Sequence, residues 1–432
     1  MTETLIKIFQ IKELRSKIIF TALMFAVYRL GTHIPVPGID SISLMNYFNS
    51  AGGALFNIYN LFSGGALGRF SIFALGVMPY ISASIIMQLM TAVLPSLERL
   101  QKEEGEYGRW KISQYTRYLT IAIASAQSFG LSLWLTTIKT ETGLSLISIN
   151  SVSFVVTTTV IVTTGTVFLM WIGEKITEFG IGNGISMIIL AGIVAEVIPA
   201  IIHTYQLLKV GELSVLTMAV AVMVIVMVVA GIVYIQEAER RIPINYARRN
   251  VALMSSASYL PFKLNPSGVI PIIFAVAILM FPATIAQFFA QSSKVAQVIV
   301  DALSPHSYIY FGLYVALIVF FSYFYTAILI NPVDIADNLR RSGAFIPGVR
   351  AGSHTVEYIN FVLTRLILAG SVFLASIAIL PMLLIKWLNV PFYFGGTSAL
   401  IVVVVALDTI HQIEAYLSMK KYEGFLRRDR DV

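Results

Sequence analysis

Residues 213–235 read LSVLTMAVAVMVIVMVVAGIVYI, a run without one charged side chain, and Arg240 and Arg241 follow shortly after it, beyond Gln236, Glu237, Ala238 and Glu239. A helix of about 20 apolar residues crosses the hydrocarbon core of a bilayer. The same reading carried outward finds ten such stretches: 18–34, 73–94, 118–137, 152–172, 185–202, 213–235, 269–289, 308–330, 361–384 and 397–413. Composition agrees. Hydrophobic residues make up 57% of the 432, and charged residues only 12%, against about a quarter in an ordinary soluble domain. The sequence therefore predicts an all-α polytopic membrane protein of ten transmembrane helices.

Lys and Arg alternate between the two ends of these stretches. With the N-terminus and every second loop on one side, that side holds 23 of the 30, and the other side holds five. Arg29 and Arg365 fall inside spans. Cytoplasmic loops carry such an excess, so both termini are expected in the cytoplasm. The net charge of +7 then reflects membrane insertion and is no evidence of nucleic-acid binding. Residues 5–20, LIKIFQIKELRSKIIF, interleave apolar and basic residues as an interfacial amphipathic helix does. Residues 1–17 are accordingly read as a cytoplasmic N-terminal segment, with no signal-peptide cleavage pattern. There is no cysteine, which removes disulfides, thiolate metal sites and cysteine nucleophiles.

Ten spans divide into halves of five, 18–202 and 213–413, joined by a short connector at 203–212 that is a candidate hinge; a cytoplasmic tail, 414–432, follows. Because five is odd, the second half starts on the opposite side of the membrane from the first. Two such halves have inverted topology, with a functional pathway between them. This inference rests on parity, since no clear identity relates the halves. The segment 57–69, NIYNLFSGGALGR, is too short to cross and is broken by Gly64, Gly65 and Gly68. Two readings stay open: a loop lying on the membrane surface, or a short helix tucked into the bundle. Irregular backbone at membrane depth is tolerated only inside protein or beside a watery cavity.

Catalytic patterns are missing: no Walker loop, HExxH or GxSxG occurs. FGIGNG at 179–184 follows a span rather than a strand, so it is read as a tight turn into the fifth span, not a nucleotide loop. No cofactor is expected. Within spans the charges are Arg29, Glu196, Arg365 and Asp408. Glu196 and Asp408 are expected as interfacial charges near water, Arg29 as a snorkelling or paired group at the outer face, and Arg365 likewise at the cytoplasmic face. An ion-coupled carrier would need a polar relay at the midplane; a scaffold for membrane-protein assembly would need no pore. The loops 236–268 and 331–360 are long and basic, suited to an acidic or anionic partner or to anionic lipid headgroups.

Specific strings now carry weight. FSGGALGRFSIFALGVMPYISASIIMQL (62–89), GRWKISQYTRY (108–118), EKITEFGIGNGIS (174–186), NPSGVIPIIFA (265–275), NPVDIADNLRRSGAFIPGVRAG (331–352) and VPFYFGGTSALIVVVV (390–405) resemble the bacterial branch of the SecY/Sec61α family. The likeness covers essentially the whole chain, in order. It implies two inverted five-helix halves around an hourglass pore, closed by a re-entrant plug helix. It implies a heterotrimer with SecE and SecG, driving by the ATPase SecA or the ribosome, and polypeptide substrates with signal sequences. A bacterial plasma (inner) membrane is the implied location.

By motif position the resemblance places an apolar pore ring at Val77, Ile81, Ile185, Ile189, Ile273 and Ile401, with Val77 where isoleucine is more usual. Spacing fits: Val77 and Ile81, and Ile185 and Ile189, are i, i+4 pairs that share a helix face. Such a constriction impedes ions by dewetting and offers no hydrogen-bond specificity. The plug would be 57–69, including Asn57, Phe62, Gly64, Gly65 and Arg69. A lateral gate would bring Ser82 and Phe281 together, with spans two and three facing seven and eight. Pro271 and Pro282 are expected to weaken the seventh span. Arg350, set in the turn PGVRAG, is the main expected contact for the motor or ribosome. Arg240, Arg241, Arg248 and Arg249 are further candidates, and anionic lipid is the competing ligand for all of them.

Topology is open to a direct test. In this cysteine-free chain, a cysteine replacing Ser342 should resist an impermeant thiol reagent outside intact cells and react after permeabilisation. Labelling from outside would reverse the orientation.

Overall fold

The computed structural model describes residues 11–41, 43–45, 59–138, 147, 150–211, 214–246, 258–289, 293–304, 307–388 and 396–428. The first half contains α1 (Lys12–Gly31), α2 (Met78–Val93), α3 (Pro95–Glu103), α4 (Gly105–Thr137), α5 (Ser151–Phe179) and α6 (Gly184–Val210). The second contains α7 (Val215–Glu237), β1 (Glu239–Tyr246), β2 (Ser258–Lys263), α8 (Ile270–Phe289), α9 (Lys294–Ala302), α10 (Tyr308–Leu329), α11 (Pro332–Arg341), β3 (Ala344–Phe345), α12 (Ser353–Leu388) and α13 (Gly396–Arg428). Among the described residues seven helices are long and apolar enough to cross a membrane, or eight with the bent pair α2–α3. α1, charged in its first turns, and the apolar stretch Ile270–Ala286 of α8 fall outside that count and occupy the positions expected for the first and seventh spans.

Local chemistry explains the differences from the expected boundaries. α1 begins at Lys12, so Lys12, Arg15 and Lys17 ride on the same helix as the first span. The second span becomes helical only at Met78; residues 73–77 are turns. A 95° bend then separates α2 from α3. Pro95 is its cause: it holds Leu94 in an extended conformation and then opens the next helix at its first position. Pro271 does not weaken the seventh span, because it lies in the first turn of α8, where a missing N–H breaks no ladder bond. Pro282 alone stands inside that helix.

One end of the molecule gathers the basic loops. Lys17 lies 5.7 Å from the Tyr416 ring, Arg117 Nε is 2.8 Å from Glu174 Oε1, and Gly182 N donates to Gln412 Oε1 at 2.9 Å. The loop 236–268 is structured there, which the sequence reading did not anticipate. β1 pairs antiparallel with β2, Arg240 opposite Phe262, and on its other edge with β3, giving the order β2-β1-β3. Ile242, Ile244, Phe262, Leu339, Ile359 and Leu363 bury together, so hairpin, α11 and the start of α12 form a small packed cap.

Asn265 fastens this cap to the bundle. Its buried amide donates to Gln236 Oε1 at 3.3 Å and to Gly268 O at 2.9 Å, and Ser267 Oγ donates back to Oδ1 at 3.1 Å. The end of α7 is thereby tied to the start of α8. Asn265→Ala should lower stability by about 1–3 kcal/mol, because Gln236 and Ser267 are left without their partner. Equilibrium unfolding in mixed micelles measures this; an unchanged midpoint would show the node to be dispensable.

Candidate pore and plug

The two halves meet along two seams. α8 packs on α2 and α4, and α13 packs on α6. Between them lies one continuous apolar cluster. Val77 sits at the N-cap of α2, and Ile81 N donates to its carbonyl at 3.1 Å, so the two side chains are one turn apart. Asn183 caps α6 by accepting from Ser186 N at 3.2 Å, and Gly184 N donates to Thr177 Oγ1 at 2.8 Å. With Gly182 at φ +82°, FGIGNG is a glycine-dependent turn that launches Ile185 and Ile189. Ile273 comes from α8 and Ile401 from α13. Val77, Ile81, Ile189 and Ile401 are buried, and Ile185 and Ile273 pack against the same cluster. All six expected ring residues thus belong to, or pack against, the one apolar cluster that both halves share.

Residues of the segment 59–77 belong to this cluster, which supports the tucked reading of 57–69 over a loop on the membrane surface. Tyr59, Phe62, Leu67 and Phe70 are all buried in it. Asn57 lies outside the described residues. Only 59–62 are helical among them, and turns follow. Gly64 and Gly65 have φ of +66° and +79°, which suits glycine, while Phe70 holds φ +47°. Irregular backbone at this depth needs partners for its polar groups, and the chain supplies them. Asn60 Oδ1 accepts from Gly68 N at 2.7 Å, and Ser63 Oγ accepts from Leu67 N at 3.2 Å. Val36 N donates to Phe70 O at 2.9 Å, and Ile72 N donates to Ile34 O at 3.0 Å.

Further partners come from α1. Tyr28 Oη donates to Ser63 O and Arg29 Nη1 to Gly64 O, both at 3.0 Å. Arg69 Nη1 lies 3.1 Å from His33 Nε2. Arg29 is therefore bonded to the inserted segment rather than snorkelling. Tyr28 and His33 were not singled out from sequence, because nothing in a lone Tyr or His marks a distant carbonyl partner. Glu196 also departs from expectation. Instead of facing water it is half-buried, with Oε1 buried beside Gly65. Asp408 is exposed near Lys263, as expected of an interfacial charge. Arg365 is exposed, with its guanidinium 3.8 Å from the Phe361 ring centre.

Ser82 is half-buried on α2, a helix that packs on α8, and Phe281 precedes Pro282 on α8; the Phe281 side chain lies outside the described residues. Arg240 and Arg241 are exposed on β1, and Arg241 stacks 4.8 Å from the Tyr259 ring. Arg350 is exposed between Gly348 and Gly352, whose φ values are +80° and +103°. Arg248 and Arg249 lie outside the described residues.

Two helical halves that meet at an apolar cluster, with an irregular segment buried in it, make the architecture of a membrane channel. Comparisons agree. The SecY family model matches residues 71–410. The protein translocase subunit SecY of Aquifex aeolicus is 52% identical over 99% of this chain and 100% of that one. Its Escherichia coli K12 counterpart is 45% identical over 96% and 94%. The chain belongs to the SecY family. Its fold is similar to a solved structure described as a protein conducting channel, with TM-score 0.67 at 16% identity over 93% of this chain and 92% of that one. It is also similar to Sec61 in a canine ribosome-channel complex, with TM-score 0.64 at 14% identity over the same shares.

Ile81→Asn or Ile401→Asn should wet the waist. A poorly paired amide there costs about 1–3 kcal/mol in the closed state, so idle ion flux through the reconstituted protein should rise about tenfold. Wild-type flux in both folded variants would remove the seal from this position.

Proposed function

We propose that this chain is the pore-forming subunit of a bacterial Sec protein translocase. It passes unfolded polypeptides across the membrane and lets apolar segments leave sideways into lipid. The observation that supports this is that Val77, Ile81, Ile189 and Ile401 belong to one apolar cluster with Phe62 and Phe70 of the inserted segment, and that Ile185 and Ile273 pack against it. A ring of β-branched side chains is stiff and offers no hydrogen bonds. It closes around any sequence without selecting one. Segment 57–69 acts as the plug, with Phe62, Gly64, Gly65 and Arg69 at its seat.

The chain provides a path, not work; it catalyses no reaction of its own. Driving comes from SecA or from a translating ribosome, docked on the basic end. The exposed Arg350 turn and Arg240 and Arg241 on β1 support that docking. Arg contacts phosphate or carboxylate in bidentate fashion, and anionic lipid headgroups take the remaining basic residues. That end faces the cytoplasm with both termini, in the plasma (inner) membrane. SecE and SecG complete the heterotrimer. Only 6% of the apolar window of α7 is buried inside the bundle, so much surface is left for lipid and companion subunits.

The lateral gate lies at the seam of α2 and α4 with α8. Cysteines replacing Ser82 and Phe281 should crosslink in the resting complex. A short crosslink should block translocation of a secretory precursor, and a long flexible one should restore it. Full translocation through the short-linked form would show that this seam need not open, and absence of crosslinking in assembled complex would place the gate elsewhere.

A further inference from the structure

Apolar packing explains how the inserted segment is sealed in, but not how it is held in one register. The polar groups around Gly64 and Gly65 supply that. On one side stands α1, with Tyr28 Oη on Ser63 O and Arg29 Nη1 on Gly64 O, both at 3.0 Å. On the other stands α6. A Cβ on Gly64 would lie 2.9 Å from Gly192 Cα, and one on Gly65 would fall on Glu196 Oε1. The two glycines are therefore seated directly on the face formed by Gly192 and Glu196. Among the described residues Glu196 Oε1 is buried without a hydrogen-bond donor. The cations acting on it come from both neighbouring elements: Arg69 from the inserted segment and Arg29 from α1.

We propose that Arg29, Tyr28 and Glu196 form a polar clasp that positions the plug in its closed seat; this rests on reading 57–69 as the plug. Hydrogen bonds to backbone carbonyls are directional, so they fix register where apolar contacts cannot. They are also exchangeable with water, as a segment that leaves and returns requires. Glu196 has two tasks. With the plug seated, its carboxylate offsets Arg29 and Arg69, which would otherwise repel each other across the seat. With the plug withdrawn, Arg69 leaves with it, and Arg29 loses Gly64 O. Both Arg29 and Glu196 belong to the helical scaffold, so they remain as partners for each other. Neither state then strands a single buried charge, a condition that low-dielectric surroundings make strict. The clasp lies outside the apolar ring and is separate from it in chemistry.

The test uses the complex purified from native membranes with its companion subunits and reconstituted in liposomes. Four variants are compared with wild type: Glu196→Gln, Arg29→Met, the two combined, and a deletion of 57–69. Idle chloride flux is measured without motor or substrate. Arg29→Met, which loses the charged hydrogen bond to Gly64 O, and Glu196→Gln, which loses the charge that offsets Arg29 and Arg69, should each raise flux about tenfold. The combined variant should not exceed the larger single effect, because both act through one seat. Arg29→Lys, which keeps a charged donor, should recover most of the seal. A cysteine at the buried Leu67 reports plug position independently, since the chain has no other. Its reaction with a thiol reagent should be faster in Glu196→Gln. If the deletion raises flux while both single variants stay at wild type in flux and Leu67→Cys labelling, the clasp is wrong and the plug stands. If effects of the two single variants multiply, they act separately, and a shared clasp is also wrong. If the deletion leaves flux unchanged, the plug reading itself fails.

Discussion

Hydrocarbon offers backbone groups no hydrogen bonds, and the arrangement of this molecule follows from that constraint. Helices meet it by themselves. Residues 59–77 cannot, since only their first turn is helical. Many of their N–H and C=O groups are satisfied by the segment's own turns and by Asn60 and Ser63, and the rest by the backbone of 34–36 and by Tyr28 and Arg29 of α1. If the segment withdraws, as the plug reading requires, the internal bonds travel with it and the carbonyls held by Tyr28 and Arg29 lose their donors. Water has to replace those donors, so on that reading the cavity beside the seat has to be hydrated. An inserted segment held by polar contacts thus implies an aqueous vestibule on its side of the waist.

The waist itself uses the opposite chemistry. Val77, Ile81, Ile189 and Ile401 are buried apolar side chains with nothing to donate or accept. A polar constriction would bind some cargo segments and reject others, and it would hold water that conducts ions. Apolar, χ1-restricted side chains avoid both faults, at the cost of specifying no register. On the proposed reading the two functions are divided between neighbouring layers: closure in the ring, and alignment in the polar groups around Gly64 and Gly65. Glu196 makes the division visible, because a carboxylate one helix turn nearer the ring would break the seal it sits beside.

Much of this was legible in the sequence, for a physical reason. A membrane span is declared by composition over about 20 residues, and charge at alternate ends sorts the loops. The proposed ring positions rest on motif resemblance together with the i, i+4 spacing of two pairs, and the structure places them in or against one apolar cluster. What escaped was set by tertiary partners. In ERRIPINY the alternation is short and interrupted by Pro243, so β1 looks like loop until Ile242 and Ile244 find Phe262 and Leu339. Pro271 resembled a kink because its place in the first turn of α8 was not fixed by pattern. Glu196 resembled an interfacial charge, since span position says nothing about which glycine lies opposite. Tyr28 and His33 carried no local signal at all.

The two seams between the halves are not equivalent, and the difference bears on which one opens. At α6 and α13, Gly182 N donates to Gln412 Oε1 at 2.9 Å, and Thr409 Oγ1 lies 3.6 Å from Met187 Sδ. At its far end α6 continues through a short connector into α7, which itself packs on α13. This side is fastened at one end by directional bonds and at the other by the chain. The seam of α2 and α4 with α8 has no covalent bridge, and α8 carries Pro282 within its length. A proline there removes a ladder bond and lowers the cost of bending. Two bodies joined along one edge separate along the other. Under the channel reading, the side that opens to lipid is therefore the one where α8 meets the first half, and the α6–α13 side serves as its hinge.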